Sequence, residues 1–262
     1  MVVAVGTVFR CEKKAPLGSV LKGKRSAVVE LIKVLLVALV AVGCFRSFVI
    51  EPFHIPSGSM KSTLLVGDYL FVGKYSYGYG RYSTVLTPIL SRIPFLTLKG
   101  RVLYTPPKAG DVVVFRLPSD PSTSYIKRVI GLPGDSVQIK NGHLYINGKE
   151  MHYEVVGDFM DGDRAVRRYV ETLYNGKSYE ILDERENSSL DNTPVYKVPP
   201  GHIFVLGDNR DDSRDSRFVT EVGNIPIDNI IGKALIVVLS FQGSDGWFPF
   251  KIRADRILHK VR

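Results

Sequence analysis

Val34 to Phe45, VLLVALVAVGCF, is an unbroken apolar run of twelve residues. It extends to about Ala27 and Ile50 if Glu30, Lys33 and Arg46 sit near its ends, where long basic side chains reach back towards water. Roughly 20 apolar residues suffice to cross a bilayer, so the run predicts a membrane span. Ahead of it stand Arg10, Lys13, Lys14, Lys22, Lys24 and Arg25 against a single Glu12. Such a basic leader stays in the cytoplasm. A cleaved leader is the competing reading, because AVGC faintly resembles a lipoprotein cleavage site. Ala41 stands where such sites usually want leucine, and a retained anchor is the preferred expectation. Residues 1–25 are then a cytoplasmic N-terminus, 26–50 the anchor and 51–262 a domain outside.

The 262 residues are 45% hydrophobic, ordinary for a chain with a real core. A net charge of +9 raises the question of nucleic acid, but an outside domain excludes that partner. Cys11 lies in the leader and Cys44 in the apolar run, so residues beyond 50 depend on packing rather than cross-links. Beyond Phe53 short runs rich in Val, Ile, Phe and Tyr recur: Tyr69–Val72, Val112–Leu117, Tyr125–Ile130, Val137–Lys140, His143–Ile146, Ile203–Leu206 and Ala234–Phe241. Gly, Pro, Asn and Asp bound them, as they bound strands. Asn141-Gly142 predicts a hairpin turn, and Pro133-Gly134 a turn with glycine in the left-handed position. The last run, ALIVVLSF, is too short to span a membrane and reads as a buried strand.

The expected fold is therefore mostly β: one transmembrane helix, then a β-rich core with a smaller inserted cap. Two stretches look inserted. Ser76 to Lys108 is rich in Tyr, Pro and Leu and reads as an extended loop or hairpin over 76–108. Asp158 to Pro200 is polar, with weakly marked strands, and belongs to a cap over about residues 141–200.

Ser57 and Ser59, in PSGSM, follow the anchor closely. Thirteen residues separate Arg46 from Ser59, at most about 45 Å when extended, so a site there stays near the bilayer. The segment lacks the GxSxG spacing of a hydrolase elbow, and Lys61 has Gly58 three residues before it, not serine. His54, His143, His152, His202 and His259 show no metal-ligand spacing, and no triad is visible in the sequence. Lysine can replace histidine as a base if it is uncharged. In SYIKRVIGLPGD, alternation puts Tyr125, Lys127 and Val129 on one strand face and Ile126, Arg128 and Ile130 on the other. Desolvation would lower the pKa of Lys127, although an exposed lysine on a half-buried strand is the plainer reading of the residues alone.

PSGSM, GDVVVFRLP, YIKRVIGLPGD and GDNRDDSRDSR occur in that order after a basic leader and a membrane segment. Together they resemble the bacterial type I signal peptidase family, the serine–lysine enzymes that remove signal peptides from exported proteins. The resemblance implies Ser59 as nucleophile and Lys127 as general base. It implies that Ser57 Oγ and the Ser59 N–H face the oxyanion, and that Ser213 hydrogen-bonds the lysine amine. Asp215 and Arg217 would form a supporting ion pair, with Asp208, Arg210 and Arg128 structural. Implied too are exported preproteins and the lipid bilayer as partners, cleavage after small residues of Ala-x-Ala type, and no metal or cofactor. The bacterial inner membrane is the implied location, with the catalytic domain on the periplasmic side and the secretion translocon as a prospective partner. Lys61-Ser62 stands where the family usually has proline at the second position, and Asp212 where asparagine is common.

Two other readings keep the fold: an inactive single-span scaffold, and a peptidase for a narrow set of precursors. Joint presence of Ser59, Lys127 and Ser213 argues against the scaffold, since a pure binder needs no such set. Trp247 to Phe250 (WFPF), with Ile93 to Leu96, read equally well as reaching the lipid interface, where aromatic residues concentrate, or as packing in the core.

Overall fold

The computed structural model describes residues 17–83, 100–183, 188–243 and 250–262. Helix α1 (Leu17–Phe48) contains the 21-residue segment Val28–Phe48, whose mean hydropathy is 2.6. At 1.5 Å per residue this segment reaches about 32 Å, enough for a hydrocarbon layer of ~30 Å. Its side chains from Val28 to Arg46 are exposed, as those of a helix solvated by lipid would be.

Phe45–Arg262 packs as one compact unit, and every strand pairing among the described residues is antiparallel. Strand β1 (Ile50–His54) pairs with β2 (Asp68–Gly73), and the loop between them carries Ser57 and Ser59. Strands β3 (Val112–Arg116) and β4 (Ser124–Gly131) form a hairpin in which Val113 faces Lys127. Next come β5 (Ser136–Lys140), β6 (His143–Ile146) and β7 (Lys149–Glu150), a meander. A separate three-stranded sheet follows: β8 (His152–Asp161), β9 (Arg164–Thr172) and β10 (Ser178–Leu182), in order β10-β9-β8. The chain returns through β11 (Tyr196–Lys197), on β5, and β12 (His202–Leu206), on β4. Strand β13 (Ile225–Pro226) flanks β12, and the long β14 (Ile230–Gly243) bridges β2 and β3. Strands β15 (Phe250–Ile252) and β16 (His259–Lys260) finish on β14. The large sheet thus runs β1-β2-β14-β3-β4-β12-β13, and although β1 and β4 are four places apart in it, the loop after β1 meets the middle of β4.

The chain is mostly β, as its short bounded apolar runs predict. At the β5–β6 turn, Asn141 and Gly142 have φ of 50° and 80°, the two positive values a type I′ turn requires. Gly134 has φ 94° and closes the turn after Pro133. β14 is only partly buried: Ala234, Val237 and Ser240 are buried while Leu239 is exposed, a spacing of three that follows the register shifts after Ala234 and Val237, so ALIVVLSF is a strand without simple alternation. In the polar stretch, β8 is an edge strand with Glu154 to Asp158 all exposed. Consecutive residues there belong to opposite faces, so both faces meet water, which is why its sequence shows no alternation. The candidate lipid-facing stretches, Ile93–Leu96 and Trp247–Phe250, lie outside the residues whose side chains are described.

One cluster of the core matters most here. Met60 and Leu64, just after Ser59, are fully buried against Leu70, Val72, Val112, Val114 and Val237. Each such side chain contributes roughly 1.5–3 kcal/mol on burial, so the serine loop is pinned to the sheet rather than draped over it.

Candidate active site

After Ile55 the chain folds into a tight turn: Lys61 N–H donates to the Gly58 carbonyl at 3.0 Å and Leu64 N–H to that of Met60 at 2.8 Å. Ser59 is 7% exposed at the head of this turn, and Ser57 is exposed at its lip. Lys127 reaches the turn from the middle of β4, placing Nζ 2.5 Å from Ser59 Oγ. The lysine is 3% exposed, and its amine stands 5.3 Å from the centre of the Tyr125 ring. Burial disfavours the ammonium and brings its pKa from 10.5 down to about 8, against the opposing pull of Asp215, Asp208 and Asp212. A sizeable fraction of the amine is therefore neutral near pH 8 and can accept a proton. Arg128, next along β4, points the other way into a different environment. It donates to both Asp208 oxygens, at 2.8 and 2.6 Å, and to the Gly110 and Arg262 carbonyls.

The segment after β12 supports the turn from beneath. Asn209 N–H donates to the Ser59 carbonyl and Asn209 Nδ2 to that of Gly58, each at 3.2 Å. Arg217 forks onto Asp215, with Nε and one terminal nitrogen each 2.9 Å from a carboxylate oxygen. Burial alone would raise the Asp215 pKa, but Arg217 and the Gly207 N–H outweigh it and hold the carboxyl below its usual range. Gly207 is needed for space: a Cβ there would lie 2.2 Å from Ser213 Oγ and 2.5 Å from the Ser59 carbonyl oxygen.

Ser57, Ser59, Lys127, Ser213, Asp215 and Arg217 thus all fall on the elements that build this site. One expected contact is not made. Ser213 Oγ is buried, packed against Gly207 and close enough to Asp215 to help hold that carboxyl ionised, rather than bonded to the lysine amine.

Two participants escaped sequence reasoning. Thr63 Oγ1 donates to Asp208 at 2.5 Å and accepts from Arg128, tying the serine turn to the Arg128–Asp208 pair. Glu171, in β9, is fully buried and takes both terminal nitrogens of Arg210, at 3.1 and 2.6 Å, plus the Tyr179 hydroxyl. Nothing local marks either residue, because their partners lie far away in sequence. Of the histidines, His54 lies against Tyr69 with the rings tilted at 45°, and His143 pairs with Glu150.

A cleft of about 390 Å³ opens onto Ser59 and Lys127. Phe53 to Ser59 form one wall and Thr123 to Lys127 the other, with Val114, Asp212 and Arg214 completing it. Away from it, Asp183, Asp191 and Asp211 bring carboxylate oxygens within 4.8 Å of one another. Burial, with Asp211 and Asp191 beside it, pushes the Asp183 pKa up to about 6.

A serine hydroxyl held against a desolvated amine in an open cleft is a geometry suited to hydrolysis, and comparison with known proteins narrows the class. Residues 28–239 match the family described as signal peptidase, peptidase S26. Signal peptidase I of Rickettsia typhi is 44% identical over 216 residues, covering 79% of this chain and 75% of that protein. Signal peptidase I of Rickettsia prowazekii is 43% identical over the same length and shares. Among solved structures, a signal peptidase I from Enterococcus faecalis matches 49% of this chain and 97% of its own, at 25% identity and a TM-score of 0.30. The chain belongs to the signal peptidase family and is an enzyme of that class. Its single apolar helix among the described residues fits a single-pass membrane protein.

Proposed function

We propose that this chain removes N-terminal signal peptides from exported preproteins, with Ser59 as nucleophile and neutral Lys127 as general base. The observation that carries the reading is the 2.5 Å approach of Lys127 Nζ to Ser59 Oγ at a buried position. Lys127 takes the hydroxyl proton as Oγ attacks the scissile carbonyl carbon. The oxyanion so formed accepts hydrogen bonds from the Ser59 N–H and the Ser57 hydroxyl. As the carbon–nitrogen bond breaks, the Lys127 ammonium returns its proton to the leaving amine, and the signal peptide stays esterified to Ser59. Lys127 then deprotonates a water that hydrolyses the ester. Ser213 is a hydroxyl in reserve for the amine as it cycles between charge states, and Asp215 with Arg217 holds the segment bearing Ser213.

Apolar walls from Phe53, Ile55, Val114 and Ile126 suit small side chains before the cut, supporting cleavage of Ala-x-Ala type. We further assign the basic leader to the cytoplasm and residues 51–262 to the periplasmic side of the inner membrane. The short tether from anchor to Ser59 then raises the local concentration of membrane-embedded substrate. The β8–β10 region, within residues 141–200, is read as the cap, and the translocon as a source of substrate.

The test is cleavage of an Ala-x-Ala preprotein by the full-length protein in detergent. Wild type should cut after that site, and Ser59→Ala and Lys127→Ala should each lose about a thousandfold or more. Activity surviving in Lys127→Ala would remove the lysine from the mechanism. An inert wild type on several preproteins would favour the narrow-specificity or scaffold readings.

A further inference from the structure

The turn that carries Ser59 is held from two sides. Its inner side rests on Asn209 and, through Thr63, on Asp208. On its outer side Ser62 Oγ donates to the Glu180 carbonyl at 2.9 Å, and Lys61 pairs with Asp161. Both outer partners belong to one sheet: Glu180 lies in β10, and Asp161 ends β8. Ser62 has φ 80°, a left-handed conformation that residues other than glycine seldom adopt and that persists where surroundings enforce it. Lys61 folds back over Gly58, where a Cβ would come within 2.9 Å of its Cε. So the two residues after Met60 both turn outward, towards the sheet, while Thr63 turns inward.

We infer that Ser62, assisted by Lys61, is a positioning residue through which the β8–β10 sheet fixes the Ser59 turn against Lys127. This rests on the serine–lysine reading given above. Of the two contacts, the Ser62 hydrogen bond matters more. The Lys61 and Asp161 side chains are 21% and 42% exposed, and ion pairs so open to solvent contribute little. Neither Lys61 nor Ser62 lines the cleft, so loosening them should disturb the geometry of attack and leave substrate binding intact.

Ser62→Gly, Ser62→Asn and Asp161→Asn in the full-length protein separate these effects. Glycine accepts the positive φ but lacks a donor, whereas asparagine tolerates it and brings an amide N–H. On a preprotein with an Ala-x-Ala site, Ser62→Gly should lose about tenfold in kcat, with KM changed by less than about twofold. Amide hydrogen exchange over residues 58–64 should quicken in the same variant. Ser62→Asn should recover most of the kcat, and Asp161→Asn should lose less than Ser62→Gly. Wild-type kcat and exchange in Ser62→Gly would overturn the inference, as would Ser62→Asn performing no better than Ser62→Gly. Should the wild type cleave nothing, the serine–lysine function fails, and the exchange rates alone then decide whether the sheet holds the turn.

Discussion

Lys127 Nζ lies 2.5 Å from Ser59 Oγ across 68 residues of sequence, and among the described residues the lysine makes no ion pair. Burial without a close counter-charge is what an ammonium tolerates least, so this position favours the neutral amine.

The first consequence is a pH profile. In the proposed mechanism only the neutral amine accepts the Ser59 proton, and burial brings its pKa to about 8. Thus kcat/KM should climb about tenfold per pH unit below that value and level off above it. Rates measured from pH 6 to 9.5 on one preprotein check this. A flat profile across that range would rule out lysine as the titrating base.

Asp212, on the cleft wall, is one of the carboxylates that favour the Lys127 ammonium. Removing its charge in Asp212→Asn should move the rising limb of that profile to lower pH. Because Asp212 is exposed, solvent screens it, and the shift should be only a fraction of a unit. The variant is then faster than wild type near pH 6.5 and equal to it near pH 9. A shift to higher pH would contradict the assignment.

Stability should respond in a matching direction. The lysine pKa is lower in the folded state than its ordinary 10.5, so the unfolded chain binds that proton more tightly. Below about pH 8 a buried charge weakens the fold, and the penalty fades as pH rises from 8 to 10.5. Lys127→Met carries no such charge. Its melting temperature should exceed that of wild type at pH 7, with the gap narrowing by pH 10. A gap that stays constant would show the amine to be better solvated than its burial indicates.

Breaking the Arg128–Asp208 pair tests the support beneath the turn. Asp208→Ala leaves a guanidinium with no exposed surface and without its carboxylate, and removes the acceptor of Thr63. Loss of one member of such a buried pair costs about 3–5 kcal/mol, readable as a fall in denaturant midpoint. Gly207→Ala should act differently. Its new methyl would collide with the Ser59 carbonyl and the Ser213 hydroxyl, so activity should fall further than stability does.

The strands were legible where a run of Val, Ile and Phe ends at glycine or proline, as in β3 and β4, because burial and turn chemistry act locally there. The β8 and β9 strands were not, since both faces of β8 meet water over Glu154 to Asp158 and a buried position of β9 is the charged Glu171, so neither strand carries a period of two in polarity. For the site, residues alone left Lys127 as a probable surface lysine in a half-buried strand. Only the ordered blocks around PSGSM and GDNRDDSRDSR pointed to its pairing with Ser59. Glu171 could not be found that way. A buried acid is defined by the arginine opposite it, and Arg210 arrives 39 residues later from another element.

Strand β4 sets two cations side by side with opposite requirements. In the proposed mechanism Lys127 sheds its proton, whereas Arg128 must keep its charge to hold Asp208 and two backbone carbonyls. Only the pleat of the strand keeps the two apart. A one-residue slip of β4 against β3 would deliver a permanently charged guanidinium to Ser59 and strand an amine among the partners of the arginine. The hairpin could still form all its ladder hydrogen bonds in that state, so the slipped protein would keep its strands and be chemically dead. On the proposed mechanism, alignment of this hairpin is therefore itself part of the catalytic apparatus, and a single inserted or deleted residue in β4 is a lesion that secondary structure content would never report.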